Sequence, residues 1–348
     1  MALNKLVLVT GGSGFVGSHC IIAALHAGYR VRTTVRSLKR EDEVRQMLKL
    51  GGATEDQAKG VEFCAADLTK DDGWPEACKE CAYVLHVASP FPPTIPKSAD
   101  ELIVPAREGT LRALRAAKSA GTVKRVVVTS SIAAVAYGHQ QREKPFTEED
   151  WTNLEDPSVP PYPRSKTIAE QAAWDWIAKE GGEMELSVVN PGGIFGPILS
   201  KTYSTSIELV VRLMNGQVPG LPNLGFSLVD VRDVADLHLR AMTDPKAAGQ
   251  RYLCITDDGF IWTKDIALKM KNRLGDRARK IPTMVVPSFV LRLVGLWDKT
   301  VASVIPELNK VKNITNEKAR TELGWRPRNA EDALVATAES LEQFGLLK

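Results

Sequence analysis

The chain lacks any apolar run long enough to cross a bilayer. Its longest, residues 281–300, is broken by Arg292 and two prolines, whereas a spanning helix needs about 20 continuous apolar residues. An excess of one charge is missing too. The 45 Lys+Arg and 42 Asp+Glu leave +3, too small a field to argue for nucleic acid or a membrane surface. The charges are interspersed, as in SLKREDEVRQ, the pattern of a solvated helix face. The opening residues MALNKLVLVTGG carry neither the apolar core nor the small-residue cleavage site of a secretory signal. Cysteine is scarce: five residues, an odd number, so reduced thiols and a cytoplasmic location are expected. Cys78 and Cys81 form a C-x-x-C, but zinc would need a second ligand pair and redox chemistry a thioredoxin-like setting. They read as structural thiols ahead of a strand, and no metal is expected. No internal repeat or low-complexity tract is present.

What is there is ordinary globular composition, 44% hydrophobic and 25% charged over 348 residues, enough for one large domain or two intertwined ones. KLVLVT, YRVRTTV, VEFCAAD, AYVLHVAS, KRVVVTSS and MELSVVNPGG read as strands. FVGSHCIIAALHAG, EDEVRQMLKL and ADELIVPAREGTLRALRAAKSAG read as helices, with Pro105 kinking the last. This alternation predicts βαβ units and an α/β fold with a parallel, doubly wound sheet. Past residue 190 it gives way to the loop PGGIFGPILSK and then to mixed helices and short strands. The stiff loops SPFPPTIP and DPSVPPYP belong to the ends of strands, where ligands sit in open α/β sheets.

VLVTGGSGFVGSH places Gly11, Gly14 and Gly17 directly after a strand and at the opening of a helix. Such spacing suits a tight turn, close approach of backbone to a pyrophosphate, and close helix–sheet packing. A site for NAD would carry Asp or Glu about 20 residues further on, bonding the ribose 2′-hydroxyl. The chain instead has Arg36, then Lys39 and Arg40, with no acid between Gly28 and Arg40. A guanidinium binds a 2′-phosphate through paired hydrogen bonds, so NADPH is the expected cofactor. Asp67, in CAADLTK, either accepts from the adenine amino group or caps the helix expected after it.

Hydride delivery to a carbonyl leaves an oxyanion that needs a proton donor and hydrogen bonds. A phenol is a weak acid, but a neighbouring ammonium stabilises its phenolate. In VPPYPRSKTIAEQAAW, Tyr162 and Lys166 are four residues apart and share a helix face. Pro163 is expected to start that helix, where a missing N–H costs nothing. The strand end VVVTSS offers Ser130 and Ser131 as partners, and spacing alone does not separate the two.

TGGSGFVG, HVASP, VVVTSS, YPRSK and NPGGIFGP, in this order, make the chain resemble the extended short-chain dehydrogenase/reductases. It is most similar to their dihydroflavonol-reductase-like branch, which includes yeast and fungal carbonyl or methylglyoxal reductases. The resemblance runs from the glycine loop to the closing NEKARTELGWRPR. It implies a Rossmann domain over residues 1–190, also receiving about 226–256 and 310–330. A smaller mixed substrate-binding lobe would then take 191–225 and about 257–348. It further implies that Tyr162 is the general acid, Lys166 its activator and Ser131 the residue that orients the substrate oxygen, with Ser130 as the alternative. Phe15, Val16, Leu68, Val87, Ala88, Ser89, Thr129, Pro191 and Ile194 would line the cofactor, and Arg36 with Arg40 would take the 2′-phosphate.

Two departures bear on the substrate. Plant flavonoid enzymes of this branch carry Asn where this chain has Ala136, and LGGATEDQAKG is longer than the usual linker. The expectation is therefore a microbial-type aldehyde or ketone reductase for a hydrophobic carbonyl compound, with Phe91, Phe195 and Phe226 each either lining its pocket or packing in the core. The chain would act as a monomer or homodimer. The alternatives are a nucleotide-sugar epimerase or dehydratase, a hydroxysteroid-type dehydrogenase, and a non-catalytic NADP sensor. SSIAAVAYG lacks the acidic pair of the dehydratases, and a sensor would have no need of both Tyr162 and Lys166.

Overall fold

The computed structural model describes residues 4–89 and 98–348. Strands and helices alternate: β1 (Leu6–Val9), α1 (Phe15–His26), β2 (Arg30–Val35), α2 (Glu41–Leu50), α3 (Glu55–Lys59), β3 (Glu62–Ala65), α4 (Trp74–Cys78) and β4 (Cys81–His86). The chain continues through α5 (Asp100–Ser119), β5 (Arg125–Thr129), α6 (Pro161–Glu180), β6 (Glu185–Pro191) and β7 (Gly193–Phe195). Then come α7 (Thr205–Met214), β8 (Gly225–Asp230), α8 (Val231–Thr243), β9 (Arg251–Cys254), β10 (Phe260–Trp262) and α9 (Thr263–Leu274). The short helices α10 (Ser288–Val294), α11 (Lys299–Val304) and α12 (Glu317–Leu323) precede the closing α13 (Ala330–Gln343).

Among the described residues seven strands pair in the order β3-β2-β1-β4-β5-β6-β9, every pairing parallel. β1 shows why. All four of its residues are buried, as a strand covered by helices on both faces requires. Val7 and Val9 point into a core with Ile21, Val44, Leu237 and Trp325. Leu6 and Leu8, alternating with them, point into the opposite core with Leu114, Ala173 and Trp176. The linker between α2 and β3 spends its extra length on α3, whose start is a Thr54–Gln57 capping box.

Strand order turns round between β1 and β4. The chain runs outward from β1 to β3 and returns to begin the other half at β4, the switch point at which open α/β sheets hold a crevice at the carboxyl ends of their strands. The expected smaller mixed unit is present as well. β7 pairs parallel and β10 antiparallel with β8, and α7, α9 and α13 close over them through Ile207, Val210, Met270 and Leu334. Residues 283–312 tie this unit to the main one. They pair at Val285 with Leu221, and Val311 is hydrogen-bonded to Gln141. No helix among the described residues is long and apolar enough to cross a membrane.

Candidate functional site

The crevice begins at the glycine loop between β1 and α1. Gly11 has φ 74°, and a Cβ there would stand 3.0 Å from Ala88 Cβ. A Cβ at Gly17 would fall 2.3 Å from Gly11 O. The loop thus leaves no room for a side chain at Gly11 or Gly17, and no side chain caps the first turn of α1. Its backbone donors and the positive end of the helix dipole suit a pyrophosphate. Val16 packs on the main core, whereas Phe15 packs on the smaller unit's core and meets His19 edge-on at 5.8 Å.

A clasp that sequence reasoning missed joins this loop to the one after β4. Thr10 Oγ1 accepts from Val87 N and Ala88 N, each at 3.0 Å. Its own proton is left for His86 Nδ1 at 3.1 Å, so the His86 proton sits on Nε2. His86 is 2% exposed. Burial, assisted by the charge of Lys166, holds it down to about 4, a neutral ring.

At the end of β2, Arg36 is exposed. Arg40 is already engaged, donating to Ser13 Oγ at 2.8 Å and through both arms to Glu43. The structure therefore links Arg40 to the glycine loop through Ser13, a residue outside the expected set. Asp67 accepts from Thr69 N at 2.8 Å and Thr69 Oγ1 at 2.7 Å. These bonds, with the Arg36 charge adding to them, hold its carboxyl below the usual range. They close a turn rather than cap a helix, since α4 starts only at Trp74. Leu68 beside it packs on Gly109 of α5.

The third wall is α6. The helix starts at Pro161, with Pro160 as its N-cap, two residues before the expected start, so Pro163 lies inside the first turn. Tyr162 is 38% exposed at this end, and Lys166 Nζ lies 5.9 Å from its ring centroid. Lys166 Nζ also donates to Ser89 Oγ at 3.2 Å, so the helix and the β4 loop meet across the crevice. Behind that contact lies a polar pocket lined by His86, Ser89, Thr129, Ser130, Lys166 and Glu170.

The two serines differ in surroundings. Ser131 Oγ accepts from Ala133 N at 3.1 Å and stands 3.5 Å from Pro191 O. Ser130 Oγ is buried without a hydrogen-bond partner among the described residues and lines the pocket beside Lys166. Thr129 Oγ1 is 2.6 Å from His238 Nε2, whose Nδ1 is 2.7 Å from Val234 O. A carbonyl can only accept, so Thr129 donates to His238. Glu170, Asn190 and Arg251 form a further buried group, with Asn190 Nδ2 donating to Glu170 Oε2 at 2.7 Å and to Ser131 O at 3.2 Å.

Some of the expected residues pack against the two cores. Phe195 is 2% exposed and belongs to the core of the smaller unit, which is the core reading of the two open to it, and Phe226 packs against the same core. Ile194 packs against the main core. Phe91 lies outside the described residues. Cys78 and Cys81 are buried, their thiols pushed up to about 12 and about 11 mainly by that burial, which leaves them protonated and unreactive. Among the described residues no cluster of His, Cys, Asp and Glu could hold a metal ion.

Residues 7–254 match the protein family described as NAD dependent epimerase/dehydratase. The chain is 35% identical over 347 residues to a dihydroflavonol 4-reductase of Zea mays, a match covering 98% of this chain and 89% of that one. It is 33% identical over 302 residues to a ketoreductase of Aspergillus niger, covering 82% and 87%. Among solved structures it is similar to yeast methylglyoxal/isovaleraldehyde reductase Gre2 complexed with NADPH. There the TM-score is 0.79 and the identity 28%, over 99% of this chain and 100% of that one.

Proposed function

The chain belongs to the NAD dependent epimerase/dehydratase family, that of the extended short-chain dehydrogenase/reductases, and from that premise we propose that it is an NADPH-dependent carbonyl reductase. The observation that carries the reading is the junction at the switch point. Tyr162 and Lys166 stand on the first turns of α6, and Lys166 reaches Ser89 across the crevice. The glycine cradle and the α1 N-terminus would hold the pyrophosphate, with Val87, Ala88 and Thr129 beyond them. Arg36 and Arg40 would take the 2′-phosphate, and the bound nucleotide would supply the hydride. The similar yeast reductase crystallised with NADPH and the lack of an acid between Gly28 and Arg40 both favour NADPH over NADH.

Residues 1–190, with about 226–256 and 310–330, serve as the cofactor domain, and 191–225 with the remainder of about 257–348 as the substrate lobe. Tyr162 gives its phenolic proton to the carbonyl oxygen as negative charge develops there. Lys166 stabilises the resulting phenolate. Ser131, its backbone oxygen held by Asn190, aims a hydroxyl at the same oxygen. The buried, neutral His86 adds no competing positive charge behind Lys166.

The test is an NADPH-consumption screen over aldehydes, α-ketoesters, aryl ketones and dihydroflavonols. Tyr162→Phe is expected to leave NADPH binding intact and to lower kcat by at least about 100-fold. Turnover at the wild-type rate would refute the role of Tyr162. Oxidised cofactor that stays bound through gel filtration, with no carbonyl reduced, would point to an epimerase instead.

A further inference from the structure

The loop beside the start of α6 carries residues that the reaction described above does not use. Tyr137 lies on the loop that leaves β5, shortly after Ser131. Its backbone is pinned on both sides, N–H to Thr152 Oγ1 at 3.1 Å and carbonyl from Asn153 N at 2.9 Å. The next residue, Gly138, has φ 72°, and a Cβ there would come 2.5 Å from Asn153 O and 2.8 Å from Val159 Cγ2. Val159 belongs to the segment that runs directly into Tyr162, so the Tyr137 loop and the start of α6 are in contact.

A distant part of the chain closes over the ring. Lys312 Nζ lies 4.2 Å from the Tyr137 ring centroid and is paired with Glu307, the two side chains keeping 19% and 16% exposure. Gln141 fastens this segment, donating to Val311 O at 3.0 Å and accepting from Val311 N at 3.2 Å. Asn309 ties its other end to the smaller unit, its N–H donating to Asn223 O at 2.9 Å while its Oδ1 accepts from Asn223 Nδ2 at 2.7 Å. An ammonium over one ring face restricts the rotamer, so the phenol is held in place before any ligand arrives. Burial, with Glu307 and Tyr162 adding to it, pushes the Tyr137 hydroxyl above its ordinary value. It stays protonated at neutral pH and can donate.

Resting on the carbonyl-reductase reading, we propose that the Tyr137 hydroxyl donates to a second oxygen of the substrate. The site then prefers carbonyl compounds that carry an ester, keto or hydroxyl oxygen beside the reacting carbonyl over plain ketones of the same size. The physical cause is the cost of covering a pinned polar donor with apolar surface, since a site built to hydrogen-bond an oxygen discriminates against the analogue lacking it.

Tyr137→Phe keeps the ring and its contact with Lys312 and removes only the hydroxyl. The readout is the ratio of kcat/KM for ethyl benzoylformate to that for isobutyrophenone, an aryl ketone without the second oxygen. The ratio is expected to fall by at least about 10-fold, mainly through KM for the ketoester. A ratio unchanged within about twofold would overturn the proposal. A second arm does not depend on turnover: calorimetric binding of ethyl mandelate and of 2-methyl-1-phenylpropan-1-ol to the NADP+ complex. The substitution should weaken the hydroxyester by a larger factor than the simple alcohol, and equal factors would again overturn it. If the unmodified protein reduces neither carbonyl, the reductase reading fails, and the binding arm alone decides on Tyr137.

Discussion

Replacing Glu170 by Gln should lower stability and turnover together. Glu170 lies on α6, one turn beyond Lys166, with its side chain fully enclosed and that of Arg251 9% exposed. Its Oε1 stands 2.7 Å from Arg251 Nε, while its Oε2 holds Asn190, which holds the backbone oxygen of Ser131. Removing one partner of a buried ion pair costs about 3–5 kcal/mol, because the other charge is left uncompensated. Two features place this pair at the lower end. Arg251 Nη1 keeps Glu148 O at 3.1 Å and Asp150 O at 2.9 Å, with its guanidinium 3.7 Å over the Trp151 ring. The Arg251 Nε contact is also an ion pair by distance only, Nε lacking a hydrogen-bond partner among the described residues. A loss of about 3 kcal/mol is therefore expected, to be read by urea unfolding followed through tryptophan fluorescence. Glu170→Gln/Arg251→Met should recover much of it, since it removes both charges at once. In turnover, kcat should fall more than NADPH affinity, since the displaced backbone is that of Ser131. A loss under about 1 kcal/mol, the scale of an exposed pair, or a double variant weaker than the single one, would refute this reasoning.

Two further predictions concern charge. Arg36→Asp should weaken NADPH by at least about 10-fold while changing NADH little, and equal effects on the two nucleotides in fluorescence titrations would remove Arg36 from the 2′-phosphate site. His19, His86 and His238 are each held down to about 4, chiefly by burial. Their folded-state values lie below the ordinary 6.5, so the unfolded chain takes up their protons first as pH falls. The stability tied to their neutrality is present above about 6.5 and lost toward about 4, at up to about 1.4 kcal/mol per pH unit for each ring. NMR titration should show three of the five imidazoles silent above pH 5; ordinary titration of all five would contradict the packing described.

The features read successfully from the sequence are local. A strand, a turn and a helix within a few residues announce the glycine loop, because φ at Gly11 and the close contact at Gly17 are set by neighbours in the chain. The Tyr162 to Lys166 spacing places both on one helix face whatever surrounds them. What local signals left open was decided by distant packing. Phe195 suits a pocket wall or a core equally, and the pairing of β7 with β8 places it in the core of the smaller unit. Asp67 looks like a helix cap, yet the chain spends several more residues on a turn and takes Gly73 as the cap of α4.

By itself the sequence determined the parallel alternation, the glycine turn, the basic residues after β2 and the tyrosine–lysine spacing. Each follows from residues near one another along the chain, where periodicity and backbone sterics act directly. The tertiary structure alone decided the Thr10–His86 clasp, the path from Arg251 through Glu170 and Asn190 to Ser131, and the closing of Lys312 over Tyr137. Those contacts join residues tens to hundreds of positions apart, and no local propensity encodes them. They exist because the sheet turns round between β1 and β4, and because the segment after α9 returns to meet the loop that follows β5.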